Sequence, residues 1–452
     1  MTEEDLLAEG DRRALTYIRS ATERRPFPDN DALNGLVAFN EPLPNQGLGE
    51  AETLELLDRF GSPATVASNG PRYFGFVIGA LLPAVAAADR LALAWDQCAS
   101  SHDTSPACAA VEKVAARWVL DILDLPRESG VGFGTSATTG TIACLSAARR
   151  TLLGRAGWNF DRHGLAGAPE IRLVLSAAAH ITVKKAARLL GFGMAHVVEA
   201  PVDNHGRVDP ARLPALDEST ILCLQAGEVN TGEYDPFKEI IPVAHEAGAW
   251  THVDGAFGLW ARASNRRSLT TGIEGADSWT TDGHKWLNTS YDSAIAICRD
   301  ANALAQTMNS DAVYFNASND AQKNVTLEFS RRPRGIGIWA ALRSLGREGV
   351  AALIERHCDY ATHLADRLRS SGFDVINRVA INQVLVRCET NEQTLAVRQA
   401  VLDSGRTWFG LTQWQGRPAF RLSISSWRTG IEHIELLVEA LIEARAAVQA
   451  AR

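Results

Sequence analysis

Five short apolar runs, each ending in polar or small residues, constrain this chain more than any other feature. They are Ile171–Ser176, Ile221–Gln225, Trp250–Val253, Ser278–Thr281 and Ala294–Cys298. Helical segments separate several of them. Thr182–Leu190 reads as a helix with Gly191 as its stop, because glycine readily takes the left-handed conformation that ends helices. Asp235 and Pro236 read as the N-cap and first residue of another helix. Pro242 lies inside that helix and is expected to bend or split it. Strands alternating with helices predict parallel β-α-β units, hence an α/β fold whose mostly parallel central sheet is covered by helices.

The flanks read differently. A chain of 452 residues exceeds what one hydrophobic core usually serves. Residues 1–70 pattern as an N-terminal helical segment with Pro-rich connections. Residues 71–335 form the expected large domain, and 336–452 a smaller C-terminal α+β domain. Within the large domain, Val111, Val114, Ala115, Trp118, Val119, Ile122 and Leu123 fall on one stripe of an amphipathic helix. A helix over about 337–370 and a final helix after Thr429 frame the last part.

Charge and cysteine usage narrow the function class. The net charge of -8, without a basic block, argues against nucleic acid as a partner. Arg331, Arg332 and Arg334 form a short cluster read as a solvated face rather than an anion contact. The seven cysteines are odd in number and show no C-x-x-C pair, which fits a reducing compartment. The N-terminus lacks the apolar core of a signal peptide. Pro83, Asp89 and Arg90 interrupt the longest apolar stretch, Val77 to Trp95. A cytoplasmic protein with no membrane span and no metal site is expected.

The chemistry-bearing residues gather where the apolar runs end, which is where parallel sheets hold ligands. Asp254 closes the run Trp250–Val253 in T-H-V-D-G-A-F-G. A carboxylate there can meet a cationic group or simply cap a loop. Lys285 lies in D-G-H-K-W after Ser278–Thr281. Desolvation disfavours an ammonium and makes the amine nucleophilic, as Schiff-base chemistry needs. Most lysines instead rest their stems on the protein with the charge in water. The segment G-F-G-T-S-A-T-T-G-T, residues 132–141, opens a helix with small and hydroxylic residues. It offers backbone amides to a phosphate or serves as an ordinary N-cap. His180 sits between a strand and a helix, where its ring can lie on a planar ligand or be purely structural. Neither a dinucleotide fingerprint nor a P-loop is present. Taken together these residues offer a phosphate cradle, a stacking ring, an acid for a pyridine nitrogen and an amine for an aldehyde, the four demands of pyridoxal phosphate.

Several segments carry a family resemblance: P-R-Y-F-G-F (71–76), S-P-A-C with a following Glu (105–112), T-S-A-T (135–138), A-H-I-T-V-K-K-A-A (179–187), H-V-D-G-A (252–256), H-K-W (284–286) and F-R-L-S-I (420–424). The chain from about Arg72 onward resembles the group II pyridoxal-dependent decarboxylases, of fold type I, which include aromatic-amino-acid and glutamate decarboxylases. The resemblance implies that Lys285 forms the internal aldimine with pyridoxal 5'-phosphate, with His284 beside it. It implies that Asp254 pairs with the pyridine nitrogen, that His180 stacks on one ring face and Ala256 packs on the other. Ala137 and Thr138 would hold the phosphate, and His252 resembles a family histidine near the cofactor. A homodimer with active sites at its interface is implied as well.

Two departures bear on the reaction. Q-A-G-E-V-N-T-G (225–232) places Glu228 and Val229 where many members carry threonines. Glu228 is read as a solvated loop residue, with a substrate-facing position as the alternative. The segment 318–329 lacks the mobile-loop tyrosine of the aromatic decarboxylases, although Tyr314 lies just before it. The expected function is α-decarboxylation of an L-amino acid to its amine. Phe76, Val77 and Tyr314 are the candidate substrate contacts, and the apolar character around Phe76 leans towards an aromatic or bulky side chain. A carbon–carbon lyase and an oxidative aldehyde-forming decarboxylase on the same scaffold are the alternatives. A non-catalytic binding protein is the remote one.

Overall fold

Seven strands pair into one sheet: β1 (Gly130–Gly134), β2 (Arg172–Ser176), β3 (Val198–Ala200), β4 (Thr220–Gln225), β5 (Trp250–Asp254), β6 (Ser278–Asp282) and β7 (Ala294–Cys298). This computed structural model describes residues 2–309 and 321–451. The sheet order is β1-β7-β6-β5-β4-β2-β3. Only β7 runs against its neighbours, β1 and β6; the pairs among β3, β2, β4, β5 and β6 are all parallel. The five expected strands form within one residue of their predicted ends. β1 and β3 were not anticipated. Three of the five β1 residues are glycines, a composition that hides a strand. Their use is steric: a Cβ at Gly132 would stand 2.1 Å from the Val325 carbonyl oxygen.

One sheet face is covered by the helix Ala137–Arg155, whose Ala143, Ala147 and Leu152 pack with Leu173, Leu175, Ile221, Cys223 and Trp250. Gly140 lets this helix come close, since a Cβ there would lie 3.0 Å from Thr280 Cγ2. The amphipathic stripe becomes the helix Pro106–Ile122, with Ala115, Val119 and Ile122 buried.

Three local expectations are corrected. The helix after β4 is Phe237–Glu246, and Asp235 is not its N-cap. The Asp235 carboxylate accepts the Gln225 and Val208 amides at 2.6 and 2.7 Å instead. Pro242 stands inside that helix without splitting it. Arg331 is not part of a solvated face. Its guanidinium is buried, pairs with Glu112 at 2.7 Å and also donates to the Ala99 and Phe133 carbonyls. A carboxylate in a mostly apolar helix stripe made this partner available, and that pairing is invisible in the charge run alone.

The chain divides into two compact units. The sheet just described belongs to Leu81–Thr362 with Asn377–Val384. The other unit draws on both ends of the chain, Met1–Ala80 with His363–Ile376 and Leu385–Arg452. It contains the N-terminal helix Glu3–Ser20, most of a second, five-stranded sheet and the final helix Ile431–Ala450. The long helix Gly335–Ser370 is interrupted at Gly346, whose φ is 64°.

Candidate active site

Register places the chemistry on one edge of the large sheet. Gly134 and Asp282 both pair with Ala294, so the ends of β1 and β6 lie level across β7. Asp254 pairs with Gln225 on one side and Thr280 on the other. The turn 135–138 and Lys285 therefore follow the carboxyl ends of β1 and β6, Asp254 closes β5, and His180 follows the end of β2. Side chains two apart on a strand share a face, so His252, Asp254, Ser278, Thr280 and Asp282 line the face that the helix Ala137–Arg155 covers.

At the start of that helix Ser136 is extended and its amide donates to Thr139 Oγ1 at 3.1 Å. The amides of Ala137 and Thr138 lie in the first helical turn, where no intrahelical acceptor exists and the helix dipole is positive. A helix start of this kind can receive an anion.

Asp254 is buried, and its Oδ1 accepts the Ala256 amide at 3.1 Å. That bond fixes the carboxylate at the strand end and sets Ala256 beside it. His252 is fully buried one pleat earlier, with Nδ1 at 2.9 Å from Ser278 Oγ. Burial pushes its pKa down to about 4, so the imidazole is neutral near pH 7. His180 caps the helix Ile181–Leu189, and its Nδ1 lies 2.7 Å from Thr182 Oγ1, which orients the ring.

Lys285 follows β6 in a tight turn. Its side chain is 22% exposed, and Nζ lies 3.4 Å from Asp282 Oδ2. His284 is buried and lies with Nε2 3.7 Å from the same oxygen. The Ser293 amide donates to its Nδ1 at 3.3 Å, and the ring stacks on Tyr291 with centroids 4.2 Å apart. Burial holds the His284 pKa below the usual imidazole value. Trp286 is wholly buried and donates to His357 Nδ1 at 3.0 Å, anchoring the residue after Lys285.

The structure thus brings Lys285, His284, Asp254, Ala256, His180, Ala137 and Thr138 to one edge of one unit. Phe76 and Val77 belong to the other unit. Phe76 is exposed and its ring leans on Trp408 at 5.3 Å, whereas Val77 is buried. Tyr314 lies outside the described residues. Glu228 is not solvated: it is 2% exposed and takes the Asn230 and Thr231 amides at 2.8 and 2.7 Å. It holds its own loop together, which the substitution of threonine by an acid did not announce. Asp282, whose carboxylate lies beside Lys285 and His284, is the neighbour that sequence reasoning passed over. Its signal was present in D-x-x-K spacing and in the alternation that puts residue 282 on the face of Thr280.

Pyridoxal phosphate fits these residues by the chemistry of the donor set and by polar groups left incomplete. His252 Nε2, Thr280 Oγ1 and Asp282 Oδ1 are buried without a hydrogen-bond partner. All three lie on the helix-covered face of β5 and β6, near the sheet edge that carries the lysine, the carboxylate and the helix amides. Among the described residues no cluster of His, Cys, Asp or Glu is placed to hold a metal ion.

Comparison with known proteins gives the fold and the family. The solved structure of Oryza sativa TDC with PLP and tryptamine matches with a TM-score of 0.89 and 22% identity over 98% of each chain. The fold is that of the fold-type I pyridoxal-phosphate enzymes. The model of the pyridoxal-dependent decarboxylase conserved domain matches residues 58–389, and the chain belongs to that family. It is 25% identical over 434 residues to L-2,4-diaminobutyrate decarboxylase of Rhizobium meliloti (strain 1021), covering 91% of this chain and 85% of the relative. It is 26% identical over 475 residues to aromatic-L-amino-acid decarboxylase of Bos taurus, covering 96% and 93%. The protein is a pyridoxal-phosphate-dependent enzyme of the amino-acid decarboxylase type.

Proposed function

We propose that the protein removes the α-carboxylate of an L-amino acid and releases the corresponding amine, with Lys285 as the residue that carries the cofactor. The observation that carries this reading is the convergence of Lys285, Asp254 and the 135–138 helix start on one sheet edge. When bound, the cofactor supplies a protonated pyridine ring that accepts the electron pair left by the departing carboxylate. Lys285 Nζ would be the group that holds the cofactor's aldehyde carbon. The Asp254 carboxylate would keep a proton on the pyridine nitrogen. Ala137 and Thr138 would hold the phosphate through their amides, and His180 and Ala256 would pack on the ring. His180, Lys285 and Tyr314 are the groups proposed to return a proton to the α-carbon.

An aromatic or bulky apolar side chain is the proposed substrate class. The name of the bovine relative supports it. We propose a cytoplasmic homodimer. All seven cysteines are free, and no helix among the described residues is long and apolar enough to cross a membrane. Leu7, Leu15, Leu33, Val37 and Leu43 leave apolar side chains exposed on the N-terminal helices and loops.

The test is a panel of L-amino acids offered to the cofactor-loaded enzyme. Carbon dioxide and an amine in equal amounts from at least one aromatic member is the expected result. Aldehyde without carbon dioxide would replace this reading with a lyase. Aldehyde with carbon dioxide, ammonia and oxygen uptake would replace it with the oxidative route. Lys285→Ala is expected to abolish turnover and the visible absorbance of the linked cofactor. Unchanged turnover would remove Lys285 from the mechanism.

A further inference from the structure

Asp282 has no part in the roles above, yet its carboxylate sits against the reacting amine. Its side chain is 3% exposed. Oδ2 lies 3.4 Å from Lys285 Nζ and 3.7 Å from His284 Nε2. Oδ1 is buried and has no hydrogen-bond partner. The contrast with other buried acids of the same unit is instructive. Asp235 fills its two oxygens with the Gln225 and Val208 amides. Glu228 is wrapped by Asn230 and Thr231. Those are structural carboxylates saturated by neutral donors. Asp282 instead faces two ionisable side chains, and its Oδ1 has no hydrogen-bond partner.

We infer that Asp282 is a positioning residue that receives the Lys285 amine whenever that amine is not joined to the cofactor. The inference rests on Lys285 being the cofactor-bearing residue. In the exchange, an incoming ammonium places its nitrogen on the carbon that Lys285 leaves. One carbon–nitrogen linkage forms as the other breaks, and three protons pass from the incoming nitrogen to Lys285, which departs as an ammonium. A mostly buried ammonium without a counter-ion is strongly disfavoured. Asp282 supplies the counter-ion in place, so release of Lys285 is favoured and its return path is kept short.

The local fold builds this arrangement before any ligand arrives. The spacing of three residues sets the acid and the amine on the same side of the turn after β6. Gly283 keeps the turn tight, since a Cβ there would come within 2.6 Å of Ser293 Oγ and 2.7 Å of Thr289 Oγ1. The Trp286–His357 hydrogen bond fixes the far end of the turn.

The experiment titrates the cofactor-loaded enzyme with methylamine, an amine that has no carboxylate to lose, and follows the visible absorbance of the bound cofactor. Asp282→Asn is expected to raise the half-saturating methylamine concentration about tenfold, the size of one hydrogen bond to a charged group. A change below about twofold overturns the inference. A second measurement needs no cofactor: thermal melts of Asp282→Asn, Lys285→Met and the double variant. Non-additive melting shifts are expected because the two side chains are in contact, and additive shifts overturn the inference. A merely structural Asp282 would lower the melting temperature equally in both backgrounds and leave the titration unmoved. If Asp282→Asn does not fold, Asp282→Ser replaces it in both measurements. A Lys285→Met protein that takes up the cofactor with the wild-type absorbance band would instead defeat the assignment of Lys285.

Discussion

At the scale of single residues, burial decides what each ionisable group does. His252 has an ordinary imidazole value near 6.5 when unfolded and is pushed down to about 4 in the fold by burial. Between those values the unfolded chain holds a proton that the folded chain does not. Stability from this group is therefore fully present above about pH 6.5 and is lost as pH falls towards about 4, by about 3 kcal/mol in total. Urea unfolding of the cofactor-free protein from pH 7 down to 4.5 should show this loss, and His252→Gln should flatten the slope. An equally steep slope in the variant would show that another group titrates in that window. Tyr291, stacked on His284 and more than half exposed, is shifted in the opposite sense: partial desolvation with Asp282 nearby pushes its phenol up, so it stays protonated at neutral pH.

At the scale of elements, two contacts hold the site's supports in place. The buried Glu112–Arg331 pair ties the helix Pro106–Ile122 to β1 through the Phe133 carbonyl. Removing one partner leaves a buried charge unmatched. Arg331→Met is expected to cost about 3–5 kcal/mol in chemical denaturation. The double change Glu112→Leu with Arg331→Met should cost clearly less, because no lone charge remains. Gly132 is the second contact. A Cβ there meets backbone, the Val325 carbonyl oxygen, rather than a movable side chain. Gly132→Ala is expected to lose about 1–3 kcal/mol of stability, readable as a lower melting temperature. The loss of stability should exceed that of the same change at Gly154, where a Cβ meets nothing within 4 Å.

At the scale of the whole molecule, the unit built from both chain ends carries the exposed apolar side chains Leu7, Val37 and Leu43, with Leu43 93% exposed. The proposed homodimer would cover such residues. Replacing all three with serine is expected to shift the mass measured by light scattering from two chains to one while the far-ultraviolet circular dichroism stays the same. A dimer that persists would move the interface elsewhere.

The sequence by itself determined the strand-end logic of this protein. Short apolar runs ending in Asp254 and before Lys285, and a small-residue turn at 135–138, are local signals, and a mostly parallel sheet must bring such ends to one edge. What local signals could not carry was decided by partners distant in the chain. The Arg331 cluster reads as solvated until Glu112, more than two hundred residues away, is found against it. Glu228 reads as a loop acid until its neighbours enclose it. Gly130, Gly132 and Gly134 give no strand signal until β7 pairs with them. A linear reading divides the chain into consecutive pieces, whereas packing joined its two ends in one unit. Asp282 shows the same limit most sharply: its place beside Lys285 is written in the spacing, but its missing second partner exists only once the sheet buries it.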